Sequence, residues 1–139
     1  MVSLQEKVAV VTGAGSGIGR ALAQQLSAKG CKLAIADINE KGLAETAASL
    51  KGEVMSQKLD VANRAAVYAF ADAVKAKYGT AHVVINNAGV AVSQTVDYMR
   101  YEDFVWLMGI NFWGVVYGNK AFLQWMTALE DGARVSMTR

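Results

Sequence analysis

The stretch Val8-Ala9-Val10-Val11-Thr12-Gly13-Ala14-Gly15-Ser16-Gly17-Ile18-Gly19-Arg20 decides how this 139-residue chain is read. A short apolar, β-prone run enters a glycine-rich turn. The turn leads straight into a helical pattern, Ala21-Leu22-Ala23-Gln24-Gln25-Leu26. The first N–H groups of a helix have no partner within it, and the helix dipole adds partial positive charge at that end. Glycines let such a backbone come close to a pyrophosphate. The spacing Gly-x-Gly-x-x-Gly is not present. What fits is Thr-Gly-x-x-x-Gly-x-Gly, from Thr12 to Gly19. Standing alone, the same residues would also suit a flexible glycine loop.

Further strand candidates alternate with helical ones. Ala21–Lys29 reads as a helix stopped by Gly30. Lys32–Ala36 reads as a strand ending at Asp37, and Glu40–Leu50 as an alanine-rich helix stopped near Gly52. Val54–Leu59 is a third strand, weakened by Ser56, Gln57 and Lys58; Arg64–Tyr78 is an amphipathic helix ending at Gly79. His82–Asn86 is a fourth strand, Asn87–Val96 a loop, Tyr101–Leu129 one long helix and Ala133–Met137 a short last strand. Apolar strands alternating with helices predict an α/β fold with a parallel sheet covered on both faces. Right-handed crossovers place the first three strands in the order 3-2-1, with strand 4 on the far side of strand 1.

A ligand then belongs beyond the carboxyl ends of the strands, at the switch between strands 1 and 4. Polar and glycine residues gather at those ends: Thr12–Gly19, Asp37, Asp60 and Asn86 to Gly89. Asp37 follows Gly13 by 24 residues. A carboxylate there can accept both hydrogen bonds of a ribose diol and repels a 2′-phosphate, which favours NAD over NADP. Ser16 and Ile38 offer no cation to offset that repulsion, and Arg20 lies in the helix. Asp60 suits an adenine amino group with Val61 flanking the base, and suits equally a helix cap, for which Asn63 competes. Asn86-Asn87-Ala88-Gly89 has small residues where a flat ligand could approach, and amides that can bridge strands; in isolation it is an asparagine-rich turn.

Composition narrows the field. At 53% apolar residues and a net charge of +2, the chain reads as one globular domain over 1–139, without a nucleic-acid or membrane footprint. The uncharged run from Trp106 to Asn119 is too short to span a bilayer. No signal peptide is evident, and the single cysteine, Cys31, suits a reducing, cytoplasmic compartment and a buried packing role. With one histidine, His82, no metal-ligand cluster is expected.

Taken together, Thr12 to Gly19, Asp37, Asp60-Val61, Asn86-Asn87-Ala88-Gly89 and Asn111 within Met108-Gly109-Ile110-Asn111-Phe112-Trp113-Gly114 resemble the short-chain dehydrogenase/reductase family, in the family's order. The resemblance implies a doubly wound Rossmann-type sheet of about five strands, order 3-2-1-4-5, without the family's last two. It implies a dinucleotide site formed by Gly13, Ser16, Gly17, Ile18, Gly19, Asp37, Asp60, Val61, Asn87, Ala88 and Gly89, with Asn111 as the catalytic asparagine. Ser16, Ile18 and Gly19 would meet the pyrophosphate, Asp37 the ribose, Asp60 and Val61 the adenine, and Asn87 with Gly89 the nicotinamide side. The family reaction is hydride transfer between NAD(H) and an alcohol or carbonyl compound.

The family's Tyr-x-x-x-Lys pair is missing: Tyr68, Tyr78, Tyr98, Tyr101 and Tyr117 all lack a lysine four residues on. Thr138 and Arg139 stand where the family has two serines, and Arg134 is an unusual guest in a central strand, where an unpaired charge is costly. The expectation is an NAD-binding chain with little or no turnover alone. The alternatives are a regulatory NAD-binding module and an enzyme completed by another chain. The long helix, with Phe104, Trp106, Leu107, Ile110, Phe112, Trp113, Val116, Tyr117, Phe122, Trp125 and Met126, is apolar nearly all round. It should be buried on more than one side, and self-association through it or through the last strand's edge is expected.

Overall fold

The computed structural model describes residues 3–126 and 134–137. Strands β1 (Val8–Thr12), β2 (Lys32–Asp37), β3 (Val54–Lys58), β4 (Val83–Asn86) and β5 (Arg134–Met137) form one sheet in the order β3-β2-β1-β4-β5. Every pairing is parallel, with Val10 beside Ala34 on one side and Val84 on the other. The predicted doubly wound α/β sheet and its strand order are thus present.

All five residues of β1 are buried. Val8 and Val10 face one core with Phe70, Val74, Phe122 and Met126, from α3 (Arg64–Tyr78) and α5 (Gly114–Met126). Ala9 and Val11 face the other, with Ala23, Leu26 and Leu43, from α1 (Gly17–Ala28) and α2 (Glu40–Ser49). Successive side chains of a strand point to opposite faces, so a strand covered on both sides must be apolar throughout. Each fully buried large side chain contributes about 1.5–3 kcal/mol. β3, at the edge, alternates between half-buried and exposed residues, which accounts for its polar run.

Two elements, α1 and the long helix, differ from the sequence reading by more than a residue or two. α1 starts at Gly17 rather than Ala21, because the glycine turn itself supplies the first helical turn. Those positions need no i→i−4 donor, so glycine is tolerated there. The long helix Tyr101–Leu129 is not uniform. It consists of α4 (Tyr101–Met108), a π-helical turn (Gly109–Trp113) and α5, while residues 127–129 lie outside the described residues.

Within the single chain that helix is covered on one side only; the second side is the one expected to meet another copy. α4 and the π turn contain no buried residue; Tyr101 is 87% exposed, Val105 73% and Trp106 48%. α5 packs inward through Gly114, Gly118, Ala121, Phe122 and Met126, and Ile110 of the π turn packs part-buried against the same core. Apolar composition marks what a helix can bury; only the neighbours present decide which side is covered. Among the described residues β5 pairs with β4 alone; Thr138 and Arg139 lie outside the described residues.

Candidate functional site

The carboxyl ends of β1 to β4 surround a crevice of about 430 Å³. Gly13, Ser16, Gly17 and Ile18 come from the turn after β1, Asp37 from β2, Asp60 and Val61 from beyond β3, and Asn87, Ala88 and Gly89 from beyond β4. Four segments far apart in sequence meet there because parallel strands all deliver their carboxyl ends to one edge. Of the residues predicted from the sequence, Gly19 and Asn111 do not line it. Ile38, Leu59, Val90 and Ile110 do, and the sequence reading assigned them no role. For three of them the only signal was adjacency to polar strand ends: Ile38 follows Asp37, Leu59 precedes Asp60, and Val90 follows Gly89; Ile110, on the π turn, carried none.

Gly19 acts from beneath. It is buried, and a Cβ there would collide with the Gly13 carbonyl and Asn87 Nδ2. Gly13 has φ +66°, and a Cβ on it would lie 2.8 Å from Ala88 Cα. The turn after β1 and the turn after β4 therefore touch through glycine backbone, which no other residue permits. Thr12 and Asn87 lock the contact. Asn87 N–H and Ala88 N–H donate to Thr12 Oγ1 at 3.1 and 3.2 Å, and Asn87 Nδ2 donates to the Thr12 and Gly13 carbonyls at 3.1 and 3.2 Å. The asparagine-rich stretch is a strand-bridging device, and Asn86 below it is buried, its Nδ2 donating to Asn119 Oδ1 on α5 at 2.9 Å.

The start of α1 opens on the crevice. Ser16, the N-cap residue, makes no side-chain cap bond, and the first turn carries no acidic residue. Ser16, Gly17 and Ile18 are exposed. The first intrahelical bond runs from Arg20 N–H to Ser16 O, which leaves the earlier N–H groups outside the helix's own ladder. Such an end attracts a negative charge.

Asp37 is half-buried. Its Oδ2 accepts from Gly15 N–H at 2.8 Å and its Oδ1 from Asn39 N–H at 2.8 Å. A carboxylate offers about four lone-pair sites, so each oxygen keeps acceptor capacity toward the crevice. Asp60 is exposed; its Oδ1 accepts from Ala62 N–H at 2.9 Å. Asn63, not Asp60, caps α3, accepting from Ala66 N–H at 3.0 Å, which resolves the competition between them.

Asn111 sits on the π turn and is exposed. Its Oδ1 accepts from Val90 N–H at 2.9 Å and its Nδ2 donates to the Val90 carbonyl at 2.7 Å. Both ends of the amide are committed to one backbone residue, as a neighbouring strand would be. π turns disturb helices locally and are frequent at functional sites. This one sets Ile110 into the wall of the crevice while Asn111 fastens the loop after β4.

The titratable groups with displaced pKa values lie elsewhere. Burial pushes the Cys31 thiol up; it donates to the Leu4 carbonyl. Burial, with Glu53 adding, pushes the Tyr78 phenol up, and its hydroxyl donates to the Leu33 carbonyl. Among the described residues, no group of His, Cys, Asp and Glu could hold a metal ion, and no helix is long and apolar enough to cross a membrane.

The comparisons agree with one another. A family model described as short chain dehydrogenase matches residues 7–138. The chain is 51% identical over 141 residues to SadH of Mycobacterium tuberculosis, covering 99% of this chain and 51% of that protein. It is 37% identical over 137 residues to D-threitol dehydrogenase of Mycolicibacterium smegmatis, covering 96% of this chain and 53% of that enzyme. The crystal structure of a short chain dehydrogenase/reductase from Burkholderia phymatum, in complex with NAD, superposes with a TM-score of 0.95 at 38% identity, over 99% of this chain and 50% of the other. The chain thus spans about half the length of the curated relatives it matches. With the glycine turn, the acidic end of β2 and the strand-bridging asparagines all in place, it belongs to the short-chain dehydrogenase/reductase family.

Proposed function

We propose that this chain is an NAD-binding unit of a dehydrogenase, a single domain that holds the dinucleotide across the ends of β1 to β4. The observation that carries the reading is the convergence of an uncapped helix start, a half-buried carboxylate and a glycine-walled floor on one crevice. The donor set fits the group chemically. N–H groups at Ser16 to Gly19 suit a pyrophosphate, and Asp37 suits the adenosine ribose diol. Asp60 and Val61 suit the adenine, with Asn87, Ala88 and Gly89 toward the nicotinamide.

NAD is favoured over NADP because Arg20 and Lys58, on the elements beside Asp37, are already engaged. Arg20 donates to the Gly15 and Gly42 carbonyls and pairs with Glu45 at 3.2 Å; Lys58, across from Asp37 in the sheet, pairs with Glu40 at 3.6 Å. A 2′-phosphate would face the carboxylate without compensation. The bound dinucleotide supplies hydride transfer; the protein's part is to bind and orient it. Asn111, the family's catalytic asparagine by resemblance, serves here as a positioning residue, holding Val90 beside the crevice. A tyrosine–lysine pair to move the proton is not in this sequence, so turnover by the chain alone should be slight. A cytoplasmic setting suits the free, buried Cys31.

The exposed side of α4 and the π turn, with Val105, Trp106, Phe112 and Trp113, supports self-association. Calorimetric titration tests the central reading. NAD should bind with 1:1 stoichiometry and at least about tenfold more tightly than NADP, and raise the melting temperature by mass action. No heat and no thermal shift with either nucleotide would end it.

A further inference from the structure

Resting on the dinucleotide reading, we infer that Thr46 and Arg20, neither of which lines the crevice, form a hydrogen-bonded relay that presets Asp37 for the ribose. Thr46 is wholly buried on α2, on the outer side of the glycine turn. Its hydroxyl donates to the Ala14 carbonyl at 2.7 Å and accepts from Arg20 Nε at 2.9 Å. The Ala14 carbonyl and the Gly15 N–H belong to one rigid peptide plane. That N–H donates to Asp37 Oδ2 at 2.8 Å. The plane is therefore gripped at both ends, by the Thr46 hydroxyl outside and the Asp37 carboxylate inside.

The next peptide is gripped too. Arg20 Nη2 donates to the Gly15 carbonyl at 2.6 Å, while Glu45 and the Gly42 carbonyl hold the guanidinium from α2 at 3.2 Å. Two successive carbonyls of the turn, Ala14 and Gly15, are thus drawn away from the crevice. The amide partner of the first, the Gly15 N–H, turns to the Asp37 carboxylate. α2 can come this close because Gly42 is a glycine: a Cβ there would lie 2.5 Å from the Gly15 carbonyl. Chained hydrogen bonds in a buried setting reinforce one another, so loss of the middle member is felt at the end.

A group that merely stabilised the fold would weaken all ligands alike. The relay instead acts through one carboxylate, so a double-mutant cycle with Asp37 isolates it. In the full chain, Thr46→Val should raise the Kd for NAD about five- to tenfold, the loss of one charge-coupled hydrogen bond, whereas Thr46→Ser should stay within about twofold. In an Asp37→Ala background, Thr46→Val should change the Kd by less than about twofold. An equal loss with and without Asp37, or no loss at all, overturns the relay. If Thr46→Val does not fold, Arg20→Met in the same cycle gives the same reading. A wild-type chain that does not take up NAD overturns the dinucleotide assignment and the relay with it. Wild-type binding beside an unaffected Thr46→Val overturns the relay alone.

Discussion

The two ends of this chain treat glycine and aromatic residues in opposite ways. In the N-terminal turn, Gly13, Gly15 and Gly19 are packed so closely that a Cβ on any of them would meet a neighbouring atom at 2.9 Å or less. In α4 and the π turn, large residues stand in the open: Tyr101, Val105, Trp106, Phe112 and Trp113 are all exposed. In the first region Gly13, Gly15 and Gly19 are each answered by a neighbour within the chain. The second presents a surface whose complement is not among the described residues. A site is specified where groups converge; an apolar face alone specifies only that something should cover it.

The sharpest break of that contrast is Gly19→Val. The added atoms would drive into the Gly13 carbonyl and Asn87 Nδ2. We expect destabilisation of about 1–3 kcal/mol, the range for overpacking, and NAD binding lost by more than about a hundredfold. Melting curves with and without NAD check both. A variant that melts and binds like wild type would remove the turn-to-turn contact from the account.

Next comes Asp37→Ala. A charge-assisted hydrogen bond is worth about 1.5–3 kcal/mol, so the Kd for NAD should rise about ten- to a hundredfold while that for NADP rises less. Competitive titration of the two nucleotides measures the ratio. An unchanged preference would separate Asp37 from specificity.

On the other side of the comparison, Trp106→Ser with Phe112→Ser should leave stability within about 0.5 kcal/mol and NAD affinity unchanged, because both side chains are exposed. Light scattering should shift toward the monomer. A large drop in melting temperature would mean that these rings are packed within the chain itself.

The smallest effect is set by pH. Burial raises the Cys31 pKa in the folded state, so the unfolded chain loses that proton first as pH rises. The native state then binds more protons, and its stability falls with pH above the ordinary thiol value of about 8.5. Between about pH 7.5 and 9.5 the wild type should lose slightly more melting temperature than Cys31→Ala. Equal slopes would mean that the thiol makes no contribution.

Much of the N-terminal half was legible in the sequence because its signals are local. Val8 to Arg20 announces strand, turn and helix; Gly30 and Gly79 mark helix ends with positive φ; four polar strand ends point to one edge of a parallel sheet. The crevice residues Ile38, Leu59, Val90 and Ile110 were silent because an apolar side chain beside a strand end looks the same whether it lines a cleft or fills a core. Thr46 was silent for a related reason. Nothing in an alanine-rich helix shows that one hydroxyl will reach a carbonyl 32 residues earlier.

By itself, then, the sequence determined the order of the first four strands and the sheet edge on which the crevice opens, since periodicity, glycine spacing and chain handedness constrain the backbone before any distant contact forms. Only the tertiary structure decided that Asn63 rather than Asp60 caps α3, that Asn111 fastens Val90, and that α4 and the π turn bury no residue within the chain. Those outcomes depend on which groups arrive within about 3 Å of one another, a distance that packing of remote segments sets and that no local pattern encodes.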